Sequence, residues 1–160
     1  MILPQNLIDK GIVLSEVDEH DFSDYLVVKK ACYEKYVDEY FGGWVDNVQL
    51  KMQMNEFNEA RNQSCFKKIS LNGETVGFFA FNELDEKIDY ISIQMIEKTQ
   101  NMGVGSFYLN EVTSLSEKTK KPIFLKVFKS NPAQNLYKRF GFTIYDETYS
   151  HYLMKYEPAT

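Results

Sequence analysis

Cysteine is scarce in this chain: Cys32 and Cys65 are the only two among 160 residues, and they form no Cys-x-x-Cys pair. Such spacing indicates neither a zinc site nor a disulfide framework, so no metal is expected. Long apolar runs are missing as well. No stretch approaches the roughly 20 apolar residues of a membrane span, and the opening Met1-Ile2-Leu3-Pro4-Gln5-Asn6 lacks the basic start and apolar core of a secretory signal. The expectation is a cytoplasmic protein without membrane association. Positive charge is also in deficit. A formal net charge of −5 argues against generic nucleic-acid binding, whose footprint is a basic domain. No repeat or low-complexity segment interrupts the chain, and 160 residues suffice to bury a core without staples. A single domain over residues 1–160 is therefore expected.

The charge that is present is unevenly placed. Between Lys98 and Phe140 stand eight basic residues (Lys98, Lys118, Lys120, Lys121, Lys126, Lys129, Lys138 and Arg139) against only Glu111 and Glu117. This segment is basic inside an acidic protein. Its summed field suits an anionic ligand on one side, with cationic ligands favoured elsewhere.

Periodicity supplies the scaffold. Ile12-Val13-Leu14 reads as a short strand, Asp21 to Tyr40 as a helix ended by Gly42-Gly43, and Trp44 to about Asn58 as a second helix. Strands follow at Phe66 to Leu71 and Val76 to Phe81, joined by a turn at Asn72-Gly73. Ile88 to Ile96 alternates, which places Asp89, Ile91, Ile93 and Met95 on one face of a strand. From Gly103 to Lys118 the apolar residues recur at helical spacing, and three lysines precede Pro122 at the helix end. Ile123 to Phe128 is the next strand. Asn131 then serves as an N-cap with Pro132 in the first turn, Gly141 stops that helix, and strands at Phe142 to Thr148 and His151 to Tyr156 close the chain. The predicted order is β-αα-βββ-α-β-α-ββ, an α/β fold with a mixed central sheet and flanking helices.

Gln100-Asn101-Met102-Gly103-Val104-Gly105-Ser106 lies between the alternating strand and an amphipathic helix. A glycine-flanked turn opening a helix presents unpaired N–H groups and the positive end of the helix dipole, which suits a pyrophosphate. A dinucleotide fingerprint is excluded by Tyr108, which stands where its third glycine belongs, and a Walker A loop by the absence of Gly-Lys-Ser/Thr. Downstream come Asn131-Pro132-Ala133, Tyr137 and Gly141-Phe142. Together, Gln-x-x-Gly-x-Gly and Asn-Pro-Ala-x-x-x-Tyr-x-x-Phe-Gly-Phe resemble the acetyl-coenzyme A signature of the GNAT superfamily of N-acetyltransferases.

The resemblance implies the GNAT fold, acetyl-coenzyme A as co-substrate, and direct transfer of acetyl to a primary amine of a small molecule or peptide. An acyl-coenzyme A-binding sensor or regulatory module without turnover is the alternative, and a homodimer fits either. Residues 100–106 would hold the pyrophosphate, the backbone around Met95 and Ile96 would supply oxyanion donors, and Asn131 and Ala133 would border the pantetheine arm. Tyr137 matches the family's proton donor to the departing thiolate. Asp89 stands near where some members place a carboxylate base; Glu83 and His151 are further candidates. In this fold the first two helices and the last hairpin choose the acceptor, which points to Tyr36, Trp44 and His151 for substrate binding. The aromatic-rich stretch around Gly42-Gly43 suits an amine through cation–π contacts.

Overall fold

The computed structural model describes residues 1–160. Its centre is a seven-stranded sheet in the order β1-β2-β3-β4-β5-β7-β6. These strands are β1 (Ile12–Glu16), β2 (Cys65–Leu71), β3 (Glu74–Glu83), β4 (Ile88–Met95), β5 (Ile123–Phe128), β6 (Thr143–Glu147) and β7 (His151–Tyr156). Every neighbouring pair is antiparallel except β4 and β5. The helices are α1 (Gln5–Asp9), α2 (Phe22–Phe41), α3 (Asp46–Ala60), α4 (Val104–Thr119) and α5 (Ala133–Arg139).

Alternation along the strands builds two cores, one on each face. Phe66, Phe78 and Ala80 point to α2 and α3, where they meet Tyr25, Val28, Phe57 and Ala60. Ile69, Phe79, Ile123, Leu125, Val127 and Met154 point the other way, against Val104, Tyr108 and Val112 of α4 and Tyr137 of α5. Each Val, Leu, Ile, Met or Phe side chain among them, when fully buried, contributes about 1.5–3 kcal/mol. Helix α2 ends at Gly42, whose φ of 81° is the left-handed cap that glycine adopts without Cβ strain.

Three local differences from the sequence expectation have physical causes. Helix α1 was not expected, because its single buried residue, Leu7, offers no period to read. Helix α5 starts at Ala133 rather than at Pro132, while Asn131 Oδ1 still accepts from the Ala133 N–H at 2.9 Å. Strict alternation in β4 also fails. Tyr90 has φ 56° and sits in a bulge, so Ile88 and Ile91, three positions apart, pack toward the same core. Asp89 accordingly does not share a face with Ile91, Ile93 and Met95; it stands on the side of α2 and α3 with Tyr90.

The parallel pair positions the site. β4 and β5 are paired only at Ile88↔Ile123, their first residues, and diverge beyond that point. A wedge-shaped gap results, open from both faces of the sheet. Met95 stands at the far end of one side and Phe128 at the end of the other.

Candidate active site

The gap opens into a cavity of about 1080 Å³. Ile91, Ser92, Ile93 and Gln94 of β4 form one wall, and residues 124–128 of β5 the other. Leu136 and Tyr137 of α5, with Asn131 and Ala133 before and at its start, reach it from one face, while Tyr33 of α2, Gln53 of α3 and Trp44, which lies in the α2–α3 link and not in the helix expected to begin there, reach it from the other.

Backbone polarity in β4 fixes which amides face the gap. The Ile96 N–H is donated to Val76 O at 3.0 Å, so the peptide groups of Gln94 and Ile96 point to β3. Those of Ile93 and Met95 therefore point to the divergent side, where no strand pairs with them. Of the two residues expected to offer an oxyanion donor, Met95 has its N–H aimed at the gap and Ile96 does not. Ile93 joins Met95 in that role. The Met95 carbonyl is occupied, accepting from Gln100 Nε2 at 3.0 Å and from Cys32 Sγ at 3.4 Å.

The same hydrogen bond shows that Gln100 straps the loop to the end of β4. Asn101 and Gly103 take φ values of 65° and 101°, turning the chain sharply into α4. Gly103 caps that helix without any side-chain hydrogen bond, so the N–H groups of Val104, Gly105 and Ser106 remain for a ligand. Val104 contributes its amide alone, since its side chain is 1% exposed. Gly105 serves packing too: a Cβ there would lie 3.1 Å from Leu136 Cδ2 of α5. Lys10, which the sequence pattern did not single out, donates from Nζ to Met102 O at 2.9 Å and brings a cation to this loop. These free amides, the helix dipole and Lys10 fit an anionic coenzyme.

Tyr137 is 8% exposed and lines the cavity. Its hydroxyl has no protein hydrogen-bond partner. Burial, with a smaller contribution from Tyr33, pushes its pKa well above the ordinary tyrosine range, so it stays a neutral donor. Tyr33 is its counterpart from α2, also raised by burial and lining the same cavity. It belongs to the aromatic-rich stretch that precedes Gly42-Gly43, where Lys29, Tyr33, Tyr36 and Tyr40 recur at i, i+4, i+7 and i+11. Tyr108 holds the β4 wall in place. Its hydroxyl accepts from the Ser92 N–H at 3.2 Å and donates to Ala80 O at 2.6 Å, bridging β3 and β4 beside the bulge.

The candidate bases occupy different places. Asp89 lines the outer end of the cavity, with Lys87 Nζ 3.6 Å from its carboxylate. Six residues separate it from Met95, about 20 Å along the strand at ~3.3 Å per residue. Glu83 is ion-paired to Lys121 at 2.7 Å and is not among the cavity residues. His151 lines the cavity, its ring tilted against Phe128 with centroids 4.2 Å apart and Nδ1 2.7 Å from Ser150 Oγ. Burial and the nearby Lys126 lower its pKa from 6.5, which keeps the imidazole neutral. Among the expected substrate residues, Trp44 lines the cavity, with its ring N–H donated to Asp46 at 3.1 Å. Tyr36 does not; it is 5% exposed and stacks on Phe128 at 5.0 Å, supporting that wall from behind.

Fold and sequence converge on one family. Residues 29–142 match the acetyltransferase (GNAT) family, and the chain belongs to it. The mixed seven-stranded sheet with flanking helices is the GNAT fold. No curated protein matches the chain by sequence. Among solved structures it is similar to the PaiA N-acetyltransferase of Thermoplasma acidophilum in complex with coenzyme A, at 13% identity and TM-score 0.70, over 91% of this chain and 98% of that one. It is also similar to Naa50 of Arabidopsis thaliana in complex with the bisubstrate analogue CoA-Ac-MVNAL, at 19% identity and TM-score 0.65, over 91% and 97% of the two chains. The N-acetyltransferase PseH of Campylobacter jejuni shares 20% identity and TM-score 0.57, over 93% and 99%. At these identities the likeness is one of fold.

Proposed function

We propose that this chain is an acetyl-coenzyme A-dependent N-acetyltransferase that passes acetyl directly to a primary amine of a small molecule or peptide. It works as one domain over residues 1–160, without a metal, in the cytoplasm and as a monomer or homodimer. No helix is long and apolar enough to cross a membrane. The observation that carries the reading is the Tyr137 hydroxyl: buried, neutral, free of any protein partner, and facing the gap onto which the Ile93 and Met95 amides open.

The proposed chemistry follows from these groups. An alkylamine with a pKa near ~10 is almost wholly protonated at neutral pH, so a base must take a proton before or during attack. His151, neutral and in the same cavity, is given that part; Asp89 is held by Lys87 farther out. The amine nitrogen bonds to the thioester carbonyl carbon, and the oxygen that gains charge is met by the Met95 or Ile93 N–H. The carbon–sulfur bond then breaks and the thiolate takes its proton from Tyr137. The free amides of Val104, Gly105 and Ser106 hold the pyrophosphate, with Gln100, Asn101, Met102 and Gly103 shaping the turn, while Asn131 and Ala133 border the arm that enters the gap.

The test is release of free thiol from acetyl-coenzyme A across polyamines, amino acids, aminoglycosides and peptide N-termini. Amine-dependent release with an acetylated product supports transfer. Tight coenzyme binding with no release from any amine would leave a binding module instead.

A further inference from the structure

Helix α3 carries an unusual buried pair. Gln49 and Gln53 are each 7% exposed, at positions where the neighbouring turn of the same face holds Phe57 and Ala60. Gln53 Nε2 donates to Gln49 Oε1 at 3.1 Å, yet Gln53 Oε1 is buried and has no hydrogen-bond partner. It is the only such side-chain atom in the protein. Both glutamines line the cavity that Tyr137 faces. A core helix needs no amide there, and a buried carbonyl without a donor is unfavourable unless water or a ligand supplies one.

The surroundings define the missing donor. Three and six residues farther along α3, Glu56 and Glu59 also line the cavity. The Tyr90 hydroxyl donates to Glu56 O at 3.2 Å, and burial together with the Glu59 and Glu56 charges pushes its pKa up to about 12. Three lysines line the cavity, Lys29, Lys87 and Lys126, and only Lys126, on β5, has no ion-pair partner. Lys29 is committed to Glu56 at 3.3 Å and to the Tyr33 ring at 4.7 Å, and Lys87 is committed to Asp89. Glu59 has no ion-pair partner. The α3 end of the cavity thus presents a buried carbonyl without a donor and, beside it, an exposed carboxylate without an ion-pair partner. A donor-only, positively charged group satisfies both, and an ammonium is that group.

We propose that the acceptor is a diamine whose distal ammonium is received by Gln53 Oε1 within the field of Glu56 and Glu59, while its proximal amine is presented at the gap between β4 and β5. Val37, Val48 and Met52 supply apolar wall for the methylene chain between the two ends. This inference rests on the N-acetyltransferase reading and adds a specificity determinant to it. Gln53 acts on binding rather than on bond making.

The experiment compares α,ω-diamines, from diaminopropane to diaminooctane, with n-alkylamines of equal chain length. It reads thiol release, and separately reads calorimetric titration of each amine into the protein–coenzyme A complex. The parent should prefer diamines, with an optimum chain length. Gln53→Leu should raise KM for the best diamine about 10- to 100-fold, as expected for a lost hydrogen bond to a charged group, and abolish the preference over the alkylamine of equal length. Gln53→Met provides the same loss should the branched side chain disturb α3. Glu59→Gln should raise the diamine KM and flatten its salt dependence. Turnover of alkylamines or peptides with no diamine preference would overturn the proposal while leaving acetyl transfer standing. Gln53-dependent diamine binding without any thiol release would support the site and remove the transferase reading. Neither binding nor release with any diamine would overturn the proposal.

Discussion

A Cβ placed on Gly105 would come within 3.1 Å of Leu136 Cδ2, so the second glycine of the loop sets how closely α4 and α5 approach. The approach matters because α5 carries Tyr137. Gly105→Ala is therefore expected to destabilise the fold through overpacking by about 1–3 kcal/mol, seen as a lower melting temperature, and to weaken coenzyme A binding as α5 shifts. Leu136→Ala in the same chain should recover much of both. Calorimetric melting and coenzyme A titration of the single and double variants check this. Equal losses in both would mean that the glycine is needed for ligand approach and not for packing.

Tyr137→Phe keeps the ring in the core and deletes one hydroxyl that bonds to nothing in the protein. Stability and coenzyme A affinity should stay near the parent's. If the hydroxyl protonates the departing thiolate, kcat should fall by ~10²-fold or more at saturating acetyl-coenzyme A and amine. An unchanged kcat, with chemistry shown to be rate-limiting, would reduce Tyr137 to a packing residue.

The anchoring of α2 gives a prediction about stability. Lys68 Nζ donates to Asp21 Oδ1 at 2.7 Å and the Asp18 N–H donates to Oδ2 at 2.9 Å, tying the start of α2 to β2. Burial alone would raise the Asp21 pKa, but the Lys68 and Asp18 hydrogen bonds hold it below 3.8. Because the folded pKa is the lower one, the unfolded chain takes up the proton first on acidification. The contribution is present above 3.8 and is lost as pH falls through the folded value. Lys68 behaves in the opposite sense: its pKa is raised above 10.5, so its contribution holds below that pH and is lost as pH rises through the folded value. Asp21→Asn should thus melt below the parent at neutral pH, with the difference shrinking in acid. A difference that persists in strong acid would show that the ion pair is not its source.

Much of the architecture was legible because the breakers and caps sit in the chain itself. Gly42-Gly43, the Asn72-Gly73 turn, Pro122 and Gly141 mark boundaries that local backbone chemistry imposes. The loop at residues 100–106 was legible for the same reason. What the sequence did not reveal depends on partners distant in the chain. The Tyr90 bulge turns Asp89 onto the other face, and no strand period encodes an inserted residue. The direction of the Ile96 N–H depends on its pairing with Val76, and Lys10 reaches Met102 across 92 positions. Gln53 reads as an ordinary polar helix residue until α3 packs its face against the sheet.

His151 provides the last prediction. Its ring packs at a tilt against Phe128, and burial with Lys126 lowers its pKa from 6.5. In the tautomer in which Nδ1 donates to Ser150 Oγ, Nε2 keeps its lone pair for an amine proton. A base acts only when unprotonated, so kcat/KM should drop as pH falls through the lowered pKa, giving an acidic limb below 6.5. The same shift works on stability in the same direction: the unfolded imidazole protonates first, so stability is kept above 6.5 and lost as pH falls toward the folded value. His151→Gln should erase the limb and lower kcat/KM by the ~10²- to 10⁴-fold typical of a lost general base, with coenzyme A affinity unchanged. The rise set by the amine's own protonation, near ~10, should remain in both proteins. Asp89→Asn supplies the contrast, since a carboxylate held by Lys87 at the outer end of β4 should leave the acidic limb in place. Should the limb survive in His151→Gln and vanish in Asp89→Asn, the proton goes to the carboxylate, and the amine must enter the gap from the bulged end of β4.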